Sequence, residues 1–176
     1  MKKLRSVAAA SMVALSAFSA HALTFNLGTV GAAPGAPLGH SSIFGPFTDT
    51  YTFTLAAHSL VSADATSNAT LIAPGYSVGE IIGFSASIDS TPLSLSTTIT
   101  SLGPGFSQQV QQLLTSPPIS LASGIHTLTI SGTGTTLGAA SYSGNIFATH
   151  VPEPESYVMM LAGLGALGFL ARRRRS

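Results

Sequence analysis

Phe47-Thr48-Asp49-Thr50-Tyr51-Thr52-Phe53-Thr54-Leu55 alternates with a period of two: Phe47, Tyr51, Phe53 and Leu55 take the odd positions and threonines the even ones. Successive side chains of a β-strand point to opposite faces, so this pattern predicts a half-buried strand with one face on a core and one on water. Asp49 falls on the aromatic face. The same grammar continues on both sides. Leu23-Thr24-Phe25-Asn26-Leu27 opens the series, and a Gly/Pro stretch from Gly31 to Gly39 predicts a loop. Ile82, Phe84, Ala86 and Ile88 alternate with small polar residues; Asp89-Ser90-Thr91-Pro92 predicts a turn, and Leu93, Leu95 and Ile99 resume, as in a hairpin. Ile119 and Leu121 stop at Ala122-Ser123-Gly124, after which His126, Leu128 and Ile130 share a face opposite Thr127 and Thr129. A last run spans Tyr142 to Thr149. Phe106 to Leu114 is ambiguous: Phe106, Val110, Leu113 and Leu114 fit helical spacing, with Ser107 as an N-cap. Short strands at roughly ten-residue spacing with Gly/Pro/Ser turns predict an all-β fold, an antiparallel β-sandwich of the jelly-roll sort over residues 23–150.

Charge is scarce and segregated. Only 7% of the 176 residues are charged, against about a quarter in ordinary soluble domains. Lys2, Lys3 and Arg5 lie at one end and Arg172, Arg173, Arg174 and Arg175 at the other, with no Lys or Arg between Ser6 and Ala171. A body without basic side chains cannot neutralise a phosphate backbone, which excludes nucleic acid as a partner. There is no Cys and hence no thiol chemistry or disulfide framework.

Catalytic and cofactor patterns are sparse. No glycine-rich stretch is followed by the Lys of a phosphate loop, and Gly83-Phe84-Ser85-Ala86-Ser87 lacks the second Gly of a nucleophile elbow. His58 and Asp64 could join one of the many serines in a triad, an arrangement that so many serines allow by chance. His40, His58, His126 and His150 share no metal-ligand spacing, and His126 reads as a rim residue of its strand. The expectation is a protein that is not an enzyme and holds no cofactor.

Asp49 requires a local explanation, because an unpaired buried carboxylate is too costly to persist and no Lys or Arg is at hand. Three readings stand: it accepts backbone N–H and Ser/Thr hydroxyl bonds, it ligates Ca²⁺ together with loop oxygens, or it is solvated at the rim of the strand.

The two ends read as addresses. Residues 1–22 have the build of a secretory signal: basic Lys2, Lys3 and Arg5, an apolar run from Val7 to Phe18, and Ala20-His21-Ala22 with small residues at the positions signal peptidase requires. The mature chain would then begin at Leu23. At the other end, Val151-Pro152-Glu153-Pro154-Glu155-Ser156 precedes an apolar stretch from Tyr157 to Ala171 and then the arginines. These roughly 15 residues make about 22 Å of helix against a hydrocarbon core of about 30 Å, so they form a short, weak transmembrane helix held by the arginines on the cytoplasmic side.

The ordered set of Val-Pro-Glu-Pro, short apolar helix and terminal Arg cluster over Val151 to Arg175 closely resembles the PEP-CTERM sorting signal, with Pro152, Glu153 and Pro154 as its defining triplet. That resemblance implies recognition and cleavage by an exosortase, an integral-membrane protease. Phe47-x-Asp49-x-Tyr51-x-Phe53, together with Leu121 to Gly132 and Ser141 to Asn145, also resembles the FxDxF group of PEP-CTERM proteins, with Tyr51 where that group usually has Phe. The function expected is that of an exported surface or matrix protein, inserted briefly in the inner membrane and working in biofilm or extracellular polysaccharide. One alternative is a carbohydrate-binding module using Tyr76 and Tyr142 as an aromatic platform; another is a small secreted hydrolase.

Overall fold

The structure, a computed structural model, describes residues 21–32, 34–74, 76–101, 103, 108–135, 137–152 and 154–173, without the side chains of 154–156 and 168–171. The expected signal segment up to Ala20, Phe106 and Ser107, Glu153, and Arg174 and Arg175 lie outside these residues. The elements are β1 (Thr24–Thr29), β2 (Ala36–Ile43), β3 (Gly45–Leu55), β4 (Ser59–Ala73), β5 (Tyr76–Val78), β6 (Ile81–Ile88), β7 (Thr91–Pro92), β8 (Ser94–Ser101), β9 (Gln108–Thr115), β10 (Ile119–Leu121), β11 (Gly124–Gly134), β12 (Ala140–His150) and α1 (Pro154–Arg173).

The strands form two sheets. One has five strands in the order β1-β3-β11-β6-β7; the other has seven, in the order β2-β12-β4-β9-β8, with β5 and β10 also paired to β4. From β2 to β4, and again from β10 to β12, successive strands alternate between the sheets, whereas β8 and β9 are neighbours in one sheet; every pairing between the named strands is antiparallel except that of β1 with β3, which is parallel. The strand that decides the fold behaves as its period dictates. Phe47, Asp49, Tyr51, Phe53 and Leu55 are all buried, and Thr48, Thr50, Thr52 and Thr54 face outward. Between the sheets, Tyr51, Phe53, Phe84, Ile88, Leu128 and Ile130 meet Val61, Leu114 and Ile146, all essentially inaccessible. Each such side chain contributes about 1.5–3 kcal/mol by leaving water.

Three local expectations are corrected. The loop expected from Gly31 to Gly39 is already a strand from Ala36; Ser42, at φ 60°, offsets the register so that Leu38, His40 and Ile43 all turn inward. From Gln108 onward the ambiguous segment is strand β9, not helix. Val110, Gln112 and Leu114 point inward with period two, and the buried amide of Gln112 disguised that alternation. The hairpin across Asp89-Ser90-Thr91-Pro92 is only two pairs long, Ser87 with Pro92 and Ile88 with Thr91. Pro92 has no N–H to extend the ladder. The chain therefore crosses to the other sheet, where β8 pairs with β9 from Ser94 to Ser101.

Among the described residues no side chain of helix α1 belongs to this core. Its large apolar side chains from Tyr157 to Leu167 are all at least half exposed. Among the described residues no helix is long and apolar enough to cross a membrane.

Candidate functional site

Asp49 is the centre of a buried polar cluster that joins the sheets. Strand β3 brings Asp49 and Tyr51 to the inner face of one sheet; β2 and β12 bring His40 and Tyr142, which are register partners, to the inner face of the other. Tyr142 Oη donates to Asp49 Oδ2 over 2.6 Å, and His40 Nδ1 lies 2.8 Å from the same oxygen. The Leu23 backbone N–H donates to Oδ1 over 3.2 Å. Because Asp49 accepts, the proton on His40 belongs on Nδ1. The single proton of Tyr142 is committed to Asp49, so Tyr51 Oη, 2.8 Å from Tyr142 Oη, supplies the proton of that contact. Tyr51 in turn accepts from the Gly39 N–H over 3.2 Å and lies 3.2 Å from the Gly39 carbonyl, a longer contact that competes for the same proton. The result is a one-directional chain of donors ending on a carboxylate.

Aromatic rings enclose it. Phe47 stacks on Tyr142 with centroids 5.8 Å apart, His40 meets Phe47 edge-on at 6.0 Å, and Phe25 stacks on Tyr51 at 4.8 Å. Burial, and then the hydrogen bond to Asp49, push the Tyr142 phenol far above its ordinary range; burial also pushes Tyr51 up. Both therefore serve as donors at any ordinary pH.

Asp49 is 0% exposed, which overturns the solvated-rim reading. Backbone N–H donation is as expected from the sequence, but the hydroxyl comes from tyrosine rather than Ser or Thr, and a histidine supplies the third bond. All partners in the structure are donors, whereas Ca²⁺ takes six to eight oxygen acceptors. No group of three or more His, Cys, Asp or Glu suited to a metal occurs among the described residues. Tyr142 is 3% exposed and is not a surface platform; Tyr76, at 59%, is exposed. Above the cluster, on the outer face of the larger sheet, an open depression of about 360 Å³ is lined by Gly39, Ser41, Thr66, Asn68, Ser141 and Ser143, with His40 and Tyr142 at its floor.

Two of the other histidines, His126 and His58, are also engaged. His126 Nδ1 lies 2.5 Å from Asp89 Oδ2, and its Nε2 lies 2.9 Å from the Ala122 carbonyl. His58 does not meet Asp64; its Nε2 lies 2.8 Å from Ser120 Oγ in an exposed setting. That is the reach of a base to a nucleophile, but among the described residues no carboxylate hydrogen-bonds to His58 to orient it.

The sorting segment leaves from the end of β12. The Val151 N–H is tied to the His58 carbonyl over 3.0 Å, and Pro152 is exposed. Pro154 is not extended but opens α1, where its missing N–H costs nothing. Arg172 and Arg173 sit in the last helical turn. Of the sequence-derived sorting residues, Pro152, Pro154, Arg172 and Arg173 thus bracket one helix. Ala22 lies next to β1, one residue before the nitrogen that reaches Asp49.

Residues 150–175 match the PEP-CTERM protein-sorting motif. This motif marks an exported protein for the exosortase pathway. No curated protein matches the chain. Among solved structures it is similar to the pre-peptidase C-terminal domain of a collagenase from Bacillus anthracis, at 14% identity, covering 73% of this chain and 96% of that chain, with a TM-score of 0.36.

Proposed function

We propose that the chain is a structural component of the cell surface or extracellular matrix, delivered through the exosortase pathway and working beside polysaccharide. The sorting motif at residues 150–175 carries the delivery. In this reading, signal peptidase cuts after Ala22, α1 rests in the inner membrane with Arg172 to Arg175 on the cytoplasmic side, and exosortase cuts near Pro152 to Glu155. The exposed apolar side chains of α1 from Tyr157 to Leu167, none of which belongs to the sandwich core, favour a lipid surround. The apolar stretch of the helix is short, so its hold is weak, as suits an intermediate that is soon processed.

The role of the mature domain rests on its outer face. Thr52, Thr50 and Thr48 of β3 lie beside Thr127, Thr129 and Ser131 of β11, and Thr129 and Ser131 lie beside Ser87 and Ser85 of β6. Hydroxyls thus repeat about every 6.8 Å along each strand and about every 4.8 Å across. This neutral, hydroxyl-bearing array suits the hydroxyls of an uncharged polysaccharide and leaves a buried, internally satisfied polar cluster to hold the fold. The FxDxF kinship is part of the same reading: Asp49, Gly132 and Tyr142, one from each resembling segment, surround Phe47, by sequence neighbourhood, strand pairing and ring stacking respectively.

The test is recovery of the protein from its host with and without exosortase, by intact mass, followed by co-sedimentation with the host's polysaccharide. Loss of residues beyond Pro152 to Glu155 only when exosortase is present, with retention by the polysaccharide, is the expected result. An unprocessed tail or no retention rejects the corresponding half. A small hydrolase is the second reading, favoured by the His58–Ser120 contact alone.

A further inference from the structure

Among the described residues the nitrogen of Leu23 is the one backbone donor to the Asp49 side chain, and its position is fixed by its neighbours. His21 N–H donates to the Pro46 carbonyl over 3.1 Å, Thr48 N–H to the His21 carbonyl over 2.9 Å, and Thr50 N–H to the Leu23 carbonyl over 2.8 Å. The chain therefore runs parallel beside β3 before and after Leu23, delivering its nitrogen to Oδ1 at 3.2 Å. That nitrogen belongs to the peptide bond expected to be cut after Ala22.

We propose that signal-peptide removal converts the Leu23 nitrogen from a neutral amide into an α-ammonium that forms an ion pair with buried Asp49, so that maturation supplies a cation that no Lys or Arg side chain of the body provides. The proposal rests on the cleavage site given above. Hydrolysis of the Ala22–Leu23 bond consumes one water; Ala22 leaves with the new carboxylate and Leu23 keeps the new ammonium.

The chemistry of the site fits this ion. No Lys or Arg lies between Ser6 and Ala171, so no side chain of either type can balance Asp49. Oδ2 is held by Tyr142 and His40, while Oδ1 has Leu23 as its partner. A hydrogen bond from an ionised donor to an ionised acceptor is roughly twice as strong as a neutral one, most of all away from water. The departure of His21 breaks two backbone bonds at the sheet edge, but the Thr50 N–H to Leu23 carbonyl bond remains to hold the new terminus in place.

The sequence offers a clean probe. Both lysines, Lys2 and Lys3, leave with the signal segment, so the mature chain has one amine. Exported protein recovered from its host is identified by intact mass and treated with an N-hydroxysuccinimide acetate. In wild type the Leu23 amine should react roughly ten-fold or more slowly than in Asp49→Asn, because its lone pair is tied up as paired ammonium. Wild type acetylated in denaturant and refolded should melt roughly 5 °C below the unmodified protein. If Asp49→Asn does not fold, denatured wild type serves as the reactivity reference and the melting comparison still decides. A mature chain starting at Leu23 whose amine reacts freely, and whose melting ignores acetylation, overturns the ion pair while leaving the cleavage site intact. A chain starting elsewhere overturns both.

Discussion

Tyr142 donates to Asp49 across 93 positions of sequence and from one sheet to the other, at 2.6 Å, with neither side chain open to solvent. The carboxylate is thus a joint between sheets rather than a defect in a strand. Tyr142→Phe removes one donor and leaves Oδ2 to His40; it should cost roughly 1–3 kcal/mol. Asp49→Ala leaves Tyr142, His40 and the Leu23 nitrogen without their acceptor and should cost more than Tyr142→Phe. Thermal melts check the ranking. Chelator should leave the wild-type melt unchanged if hydrogen bonding accounts for Asp49, whereas a chelator-sensitive melt would establish the Ca²⁺ reading.

Alkali should unfold the domain earlier than its sparse charge suggests. Burial raises the Tyr142 and Tyr51 phenols above their value in the unfolded chain, about 10. The unfolded state then loses protons first as pH rises, so stability is full below about pH 10 and falls above it. Melting temperatures between pH 8 and pH 11 measure this. Tyr142→Phe should flatten the decline, and an equal slope in wild type and variant would mean that another group governs it.

In the membrane orientation proposed above, replacing Arg172 to Arg175 with Ser removes the charges that would hold the far end of α1 on the cytoplasmic side. The expected outcome is unprocessed protein slipping into the periplasm, read by fractionation and intact mass. Unchanged processing would assign stop-transfer to the helix itself.

His58 and Ser120 permit a direct check on hydrolysis. A fluorophosphonate should leave the native protein unlabelled, because among the described residues no carboxylate orients His58. Labelling that disappears in Ser120→Ala would make the hydrolase reading the correct one.

The fold was legible wherever alternation was clean, as in β3 and in the His126 to Ile130 face of β11. It failed where a polar residue was buried or a proline cut a ladder. Gln112 hid the period of β9, and Pro92 ended a hairpin whose flanking patterns looked continuous. Asp49 stood out because its charge broke an apolar row. Its partners did not: His40 lay just past what read as a loop, in a stretch to which no strand was assigned, and the donor at Leu23 is backbone, invisible to any side-chain pattern. Tyr142 could have been found, since it alternates with Ser141 and Ser143 and heads the inward row continued by Ile146 and Ala148.

Strand β12 runs between β2 and β4 and passes straight into the sorting segment. A pull on Val151 therefore acts along a central strand, hydrogen-bonded on both sides, with β4 pairing along it as far as His150. Such a load shears many bonds at once, whereas a tether on an edge strand would unzip them in turn. Under the proposed processing, a tail gripped by the protease would load the domain along this strand, where it resists mechanical extraction best.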